Sequence, residues 1–141
     1  MAHKKKMIVT WNDYGIYVKD LAMQIEREGK EYTDICGIPR GGLPIATVLS
    51  YYFDIPLTSV HKIHSKTLIV DDICDSGGTI MKVLERCKTF VVKPDVATIF
   101  LRTTSNYQPL YWCEKVNNLW WVDFPYEYSD RPDTVSKVTN S

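Results

Sequence analysis

Thr67-Leu68-Ile69-Val70-Asp71-Asp72-Ile73-Cys74-Asp75-Ser76-Gly77-Gly78-Thr79 is the stretch that decides the fold. Thr67 to Val70 are β-branched or apolar and read as a buried strand. That strand runs straight into two carboxylates, and a small glycine-rich turn then opens a helix predicted over 78–88. In an open α/β sheet, ligands bind outside the carboxyl ends of the strands, which is where this turn falls.

The turn from Asp75 to Thr79 exposes several backbone N–H groups at once. Gly77 and Gly78 can take positive φ and put no side chain in the way. Such a nest at a helix N-terminus suits a phosphate, through donors and dipole together, and Ser76 and Thr79 add hydroxyls. Neither the Walker pattern nor the Rossmann fingerprint is present. Asp71 and Asp72 need their own explanation. Two carboxylates about 5 Å apart repel by roughly 3 kcal/mol at an effective dielectric of about 20. A ribose diol and a Mg²⁺ ion would supply the hydroxyl donors and the positive charge that keep both ionised. The simpler alternative is a pair of acids ending a strand in water, but that leaves the adjoining phosphate nest unexplained.

Outward from this stretch, strands alternate with helical patterns. Met7 to Trp11 reads as a strand, and Asn12 or Asp13 as the cap of a helix carrying Tyr14, Tyr17, Val18, Leu21, Ala22 and Ile25 on one face, with Gly29 as its left-handed stop. A strand over 33–38 ends in the loop Gly37-Ile38-Pro39-Arg40-Gly41-Gly42. A helix follows over 43–53 and breaks at Asp54-Ile55-Pro56. Further strands are predicted over 96–101 and 119–122. The alternation implies βαβ units, hence an α/β fold with a mostly parallel central sheet flanked by helices.

The chain has 141 residues, one domain of ordinary size, with loose ends expected at 1–6 and 129–141. At 45% hydrophobic residues it can bury a core, and seventeen basic residues balance seventeen acidic ones. That balance argues against a nucleic-acid partner, which needs an uncompensated basic field. Apolar runs are too short to cross a membrane. Cys36, Cys74, Cys87 and Cys113 are irregularly spaced, which reads as free thiols in a reducing cytoplasm.

The segment from Thr67 to Thr79 resembles the 5-phosphoribosyl-1-pyrophosphate (PRPP) motif of the type I phosphoribosyltransferases: apolar strand, two acids, two intervening residues, then D-[ST]-G-x-T. Ile8-Val9-Thr10-Trp11, Arg40-Gly41-Gly42-Leu43, Thr98-Ile99-Phe100 and Trp121-Val122-Asp123-Phe124-Pro125-Tyr126-Glu127 are similar, in the same order, to the bacterial xanthine–guanine branch of that family. The resemblance implies transfer of a phosphoribosyl group from PRPP to a 6-oxopurine, with Mg²⁺ as cofactor and a cytoplasmic homo-oligomer. It implies that Asp75, Ser76, Gly77, Gly78 and Thr79 hold the 5′-phosphate. Asp71 and Asp72 would hold the ribose hydroxyls, with Asp72 nearest the metal, and Asp75 would serve as general acid/base at N7. Arg40 and Gly41 would meet the pyrophosphate in a loop that often carries a non-proline cis peptide. Trp121 would stack on the base and the Val122 backbone would read its edge. Arg102 stands where the family usually has a lysine that donates to the 6-oxo group.

Simpler roles compete at several positions. Arg40 can be a solvated turn residue, Trp121 plain core beside Trp120, and Arg102 the partner of a surface acid. His61 and His64 read as loop residues, with phosphate contact as the alternative. The sequence departs from the family between Pro56 and Thr67, where a long closing loop is expected and only 57–66 is available. A stunted hood follows, and His61, Lys62, His64 and Lys66 are the residues that could replace its phosphate contacts. A non-catalytic PRPP or nucleotide sensor, or a transferase acting on another acceptor, are the alternative functions.

Overall fold

The computed structural model describes residues 5–87 and 92–127. Its elements run β1 (Lys5–Ile8), α1 (Trp11–Glu28), β2 (Asp34–Gly37), α2 (Gly42–Phe53), β3 (Leu57–Thr58), β4 (Thr67–Cys74), α3 (Gly78–Glu85), β5 (Asp95–Arg102), β6 (Tyr111–Val116) and β7 (Trp120–Asp123). Five strands form one sheet in the order β3-β2-β4-β5-β6, with every neighbouring pair parallel. β1 and β7 pair separately, also parallel, as a two-stranded ribbon. This is the expected α/β architecture, with the ribbon as a small hood.

The hydrophobic pattern explains the layers. β4 and β5 are apolar on both faces, as the inner strands of a covered parallel sheet must be. Leu68 and Val70 of β4 pack with Val18, Leu21 and Ile25 of α1 and Ile45 and Leu49 of α2. Ile69 points to the other face, against Ile80 and Val83 of α3. The α1 stripe read from the sequence is the buried face: Tyr14, Val18, Leu21, Ala22 and Ile25 are all inside.

The start of α1 differs from expectation. Thr10 is the cap, not Asn12 or Asp13: its hydroxyl accepts from Asp13 N–H at 3.1 Å, and the Asp13 carboxylate accepts from Thr10 N–H at 3.1 Å. This reciprocal capping box ends the first strand at Ile8 and starts the helix at Trp11. The helix stops at Gly29, where φ is 75°.

Three more expectations change. Lys5 and Lys6 belong to β1, paired with Trp120 and Trp121, and Lys5 Nζ lies 5.3 Å from the Trp120 ring centroid, so these two residues are held by pairing and a cation–π contact, while residues 1–4 of the expected loose end lie outside the described residues. β4 runs on past Val70 to Cys74, because Asp71, Ile73 and Cys74 keep their register with Thr98, Phe100 and Leu101 of β5. The edge strand β6 was not anticipated; its mixed sequence Tyr-Trp-Cys-Glu-Lys-Val carries no clean alternation. The end of the helix expected over 78–88, and the loose end expected at 129–141, lie outside the described residues.

Where β2 hands over to α2, glycine is required by space. A Cβ on Gly42 would stand 2.3 Å from the Val70 carbonyl oxygen, and one on Gly37 2.6 Å from the Gly42 carbonyl oxygen. The obstruction at Gly42 is backbone, which cannot swing aside. Gly42→Ala should therefore lower unfolding stability by about 1–3 kcal/mol, as overpacking does. Gly15→Ala meets nothing within 4 Å inside α1 and should raise stability by about 0.5–1 kcal/mol. Chemical denaturation of the two variants checks both signs.

Candidate active site

The sheet order places a switch point between β2 and β4: from β2 the chain moves outward to β3, then crosses back to β4. The loops leaving the carboxyl ends of β2 and β4 part there and leave a crevice. Both sequence-predicted loops line it. Asp71 to Ile80 enclose a cavity of about 180 Å³. Arg40, Gly41, Leu43, Pro44, Thr47, Asp72, Tyr126 and Glu127 line a larger one of about 1010 Å³. Asp72 borders both.

The loop after β2 is pressed onto β4. The peptide between Pro39 and Arg40 is cis. A Cβ on Gly41 would lie 2.1 Å from Asp72 Oδ2, so the Asp72 carboxylate rests directly on the Gly41 backbone. Tyr126 closes the contact from the far end of the chain. Its hydroxyl donates to Asp72 Oδ2 at 2.7 Å and lies 3.4 Å from the Gly41 carbonyl oxygen. The Tyr126 ring stacks on Phe124 and meets Tyr14 edge-on. Sequence reasoning gave Tyr126 no role, because 54 residues separate it from Asp72.

Asp71 and Asp72 sit within the β4 ladder rather than in a free loop. Asp72 N–H donates to Asp71 Oδ1 at 2.8 Å. Burial, then the charge of Asp72, pushes the Asp71 carboxyl up to about 8. Two adjacent acids, one of them held against ionisation, form a hard-oxygen donor set short of positive charge. That chemistry fits a divalent cation such as Mg²⁺.

The turn matches expectation at Gly77 but not at Gly78, which does not take positive φ. Gly77 takes φ 93°, and a Cβ there would lie 2.9 Å from Tyr107 Cβ. Asn106 N–H donates to the Ser76 carbonyl oxygen at 2.9 Å, so the loop after β5 braces the turn from behind. Gly78 N–H donates to Ser76 Oγ at 3.1 Å, so an incoming phosphate oxygen competes with that hydroxyl for the amide.

Arg102 ends β5 and is only 3% exposed. Its Nε donates to Asp75 Oδ1 at 3.2 Å, while Nη1 donates to the carbonyls of Asn117 and Trp120 at 2.8 and 2.5 Å. Its acid partner is thus Asp75 of the motif itself, and Nη2 is the end not engaged by these three bonds. Trp120 packs on the core, whereas Trp121 is 40% exposed. Leu119 and Asp123 carbonyls accept from Lys5 and Val9 of the β1 side. By strand alternation, the Val122 backbone N–H and C=O face the opposite edge, the one on which Arg102 holds Trp120.

The segment 59–66 does not reach the site. Ile63 packs with the α3-side core, and His61 Nδ1 lies 3.4 Å from Arg86 Nη1 beyond the end of α3. His64 Nε2 lies 3.1 Å from Asp34 Oδ2, at the amino end of β2. His64 and Lys66 therefore stand at the amino ends of the strands, opposite the nest, and the expectation that they replace phosphate contacts fails. The chain has to return there to begin β4.

No protein-family model matches the chain. Among curated proteins it is 23% identical over 128 residues to the transcriptional regulator GfcR 2 of Methanosarcina barkeri, covering 69% of this chain and 63% of the regulator. It is 27% identical over 146 residues to the xanthine-guanine phosphoribosyltransferase of Nitratidesulfovibrio vulgaris, covering 89% of this chain and 86% of that one. Among solved structures, the purine phosphoribosyltransferase from Pyrococcus horikoshii superimposes with a TM-score of 0.75 at 26% identity, over 86% of this chain and 94% of its own. The chain thus resembles a xanthine-guanine phosphoribosyltransferase in sequence over most of its length and shares the fold of a purine phosphoribosyltransferase. It spans less than two thirds of the regulator's length and most of the transferases'.

In metal-free buffer the raised Asp71 pKa sets a pH dependence. Folded Asp71 keeps its proton up to about pH 8, against an ordinary value of 3.8. Between those values the folded chain binds more protons than the unfolded one, so stability falls as pH rises from about 4 to about 8. Asp71→Asn should flatten that decline, and Mg²⁺ at pH 8 should raise the melting temperature of the original protein more than that of the variant. Equal slopes for the two proteins would count against the assignment.

Proposed function

We propose that this protein is a purine phosphoribosyltransferase that moves the 5-phosphoribosyl group of PRPP to guanine, xanthine or hypoxanthine, releasing pyrophosphate. The observation that carries this reading is Asp72 standing between two cavities at the switch point: one formed by the phosphate nest, the other by Arg40 and Gly41. A molecule with a phosphate at one end, a sugar diol in the middle and a pyrophosphate at the other matches that order of groups.

In this reading the amides and hydroxyls from Asp75 to Thr79 orient the 5′-phosphate, and Asp71 and Asp72 accept from the ribose hydroxyls. The bond from C1 to the pyrophosphate oxygen breaks as a purine nitrogen bonds to C1, and positive charge spreads over the ribose ring. Arg40 meets the growing negative charge of the leaving group. When bound, Mg²⁺ at Asp72 supplies further positive charge there. Asp75 takes the proton that the imidazole ring of the base gives up. Trp121 covers the base and the Val122 backbone reads its edge. Arg102 only donates hydrogen bonds, which suits a 6-oxo oxygen at Nη2 and opposes the amino group of adenine. The ligands are small molecules rather than nucleic acid, the cofactor is Mg²⁺, and the setting is a cytoplasmic homo-oligomer. Among the described residues, no helix is long and apolar enough to cross a membrane.

A second reading, a nucleotide sensor that binds without turnover, is favoured by two observations. The segment 59–66 lies away from the site instead of overhanging it, and a curated relative is a transcriptional regulator. Incubation with PRPP, Mg²⁺ and a panel of bases separates the two. Oxopurines should yield monophosphate, while adenine, uracil and orotate should not. Efficient adenine turnover would refute the specificity argument, and tight PRPP binding without product from any base would favour the sensor. Asp75→Asn should retain nucleotide binding and lose about 10²-fold or more in kcat.

A further inference from the structure

Tyr126 is held twice. Its ring is fixed by stacking on Phe124, with centroids 5.6 Å apart and planes 4° from parallel, by an edge contact to Tyr14 and by a tilted contact to Trp11. A phenylalanine would make the same ring contacts. What the phenol adds is its hydroxyl, which meets the Tyr14 phenol and reaches into the site, to Asp72 Oδ2 at 2.7 Å and the Gly41 carbonyl oxygen at 3.4 Å. These two partners come from the two loops that meet at the switch point, and Tyr126 reaches them from the wall of the cavity that also holds Arg40.

Below about pH 8 the protonated Asp71 carboxyl shares a side-chain hydrogen bond with Asp72, and the Tyr126 hydroxyl is the donor that remains once Asp71 ionises. Asp71 beside it is a like charge when ionised, and the Gly41 backbone beneath it is in contact without a side chain. An O–H donor to a carboxylate is a strong, directional bond. It fixes one oxygen and the plane of the group, and leaves Oδ1 for a cation or a sugar hydroxyl. We propose that Tyr126 is a positioning residue for Asp72, presetting that carboxylate for the metal-bound pyrophosphate end of PRPP. This rests on the transferase or sensor reading only in that the ligand is Mg²⁺-PRPP.

The test compares Tyr126→Phe with the original chain. The first readout is PRPP binding by calorimetry across a Mg²⁺ titration, with no base present. In the variant, the Mg²⁺ midpoint and the PRPP dissociation constant should rise about tenfold, the size expected for losing a hydrogen bond to a charged group. Binding of PRPP in EDTA should weaken less than in Mg²⁺, since there Asp72 meets only a ribose hydroxyl, and the melting temperature should stay close to that of the parent. In turnover, KM for PRPP should rise while KM for the base holds. An unaltered Mg²⁺ titration would overturn the proposal. A variant that melts early and weakens on PRPP in EDTA as much as in Mg²⁺ would also overturn it, by showing that the hydroxyl serves folding alone. Failure of the original protein to bind PRPP at any Mg²⁺ concentration would instead remove the functional reading beneath it. Binding without turnover would leave this proposal standing and remove only the transferase.

Discussion

Two glycines stand where no side chain fits, and the site depends on that contact. With Gly41 against the Asp72 carboxylate and Gly42 against the Val70 carbonyl oxygen, the loop after β2 lies directly on the end of β4. The chain turns through the cis Pro39–Arg40 peptide and enters α2 at that same place. Neither ligand loop is an independent excursion from the sheet: each is part of the other's wall. This packing brings the nest of one βα turn and the basic turn of the other within reach of one small molecule, with Asp72 between them.

The second constraint is electrostatic. Carrying Asp71 and Asp72 inside the strand places them more rigidly than a loop could, because Asp71 and Ile73, on either side of Asp72, are paired in register with β5. The cost is desolvation of adjacent carboxylates, visible in the raised pKa of Asp71. Such an arrangement is unfavourable for a strand that has only to fold. It becomes favourable when a cation or hydroxyl donors arrive, so part of the ligand's binding energy is the relief of a repulsion already built into β4. The Tyr126 hydroxyl relieves some of it in advance, at one oxygen.

Much of this was legible in the sequence, and the parts that were not share a cause. Local chemistry was readable: the β4 run and its acids, the glycine nest, the α1 stripe from Tyr14 to Ile25 and the left-handed Gly29. The capping box Thr10-x-x-Asp13 was also written in the sequence, but Thr10 follows Ile8-Val9, and the β-branched run read as a continuing strand. β6 escaped because an edge strand needs no clean alternation. Long-range placement was not readable. Nothing local says that Tyr126 reaches Asp72, or that residues 59–66 run along the α3 side to start β4 at the amino ends of the strands. The cationic look of His61-Lys62-Ile63-His64-Ser65-Lys66 suggested phosphate; the topology that carries His64 to Asp34 decides otherwise.

Arg102 shows how one substitution can change a residue's work without moving it. A lysine ending a buried β5 would present one ammonium, a compact charge on a flexible stem. The arginine fork spans three acceptors at once: Asp75 in the turn after β4, and the carbonyls of Asn117 and Trp120 in the loop that leads into β7. Asp75 and the strand that carries Trp121 and Val122 are thereby tied to one planar group at the end of the central sheet. The 59–66 segment does not cover the site, but fixed contacts orient its acids: the buried guanidinium holds Asp75 as the Tyr126 hydroxyl holds Asp72, each at one oxygen.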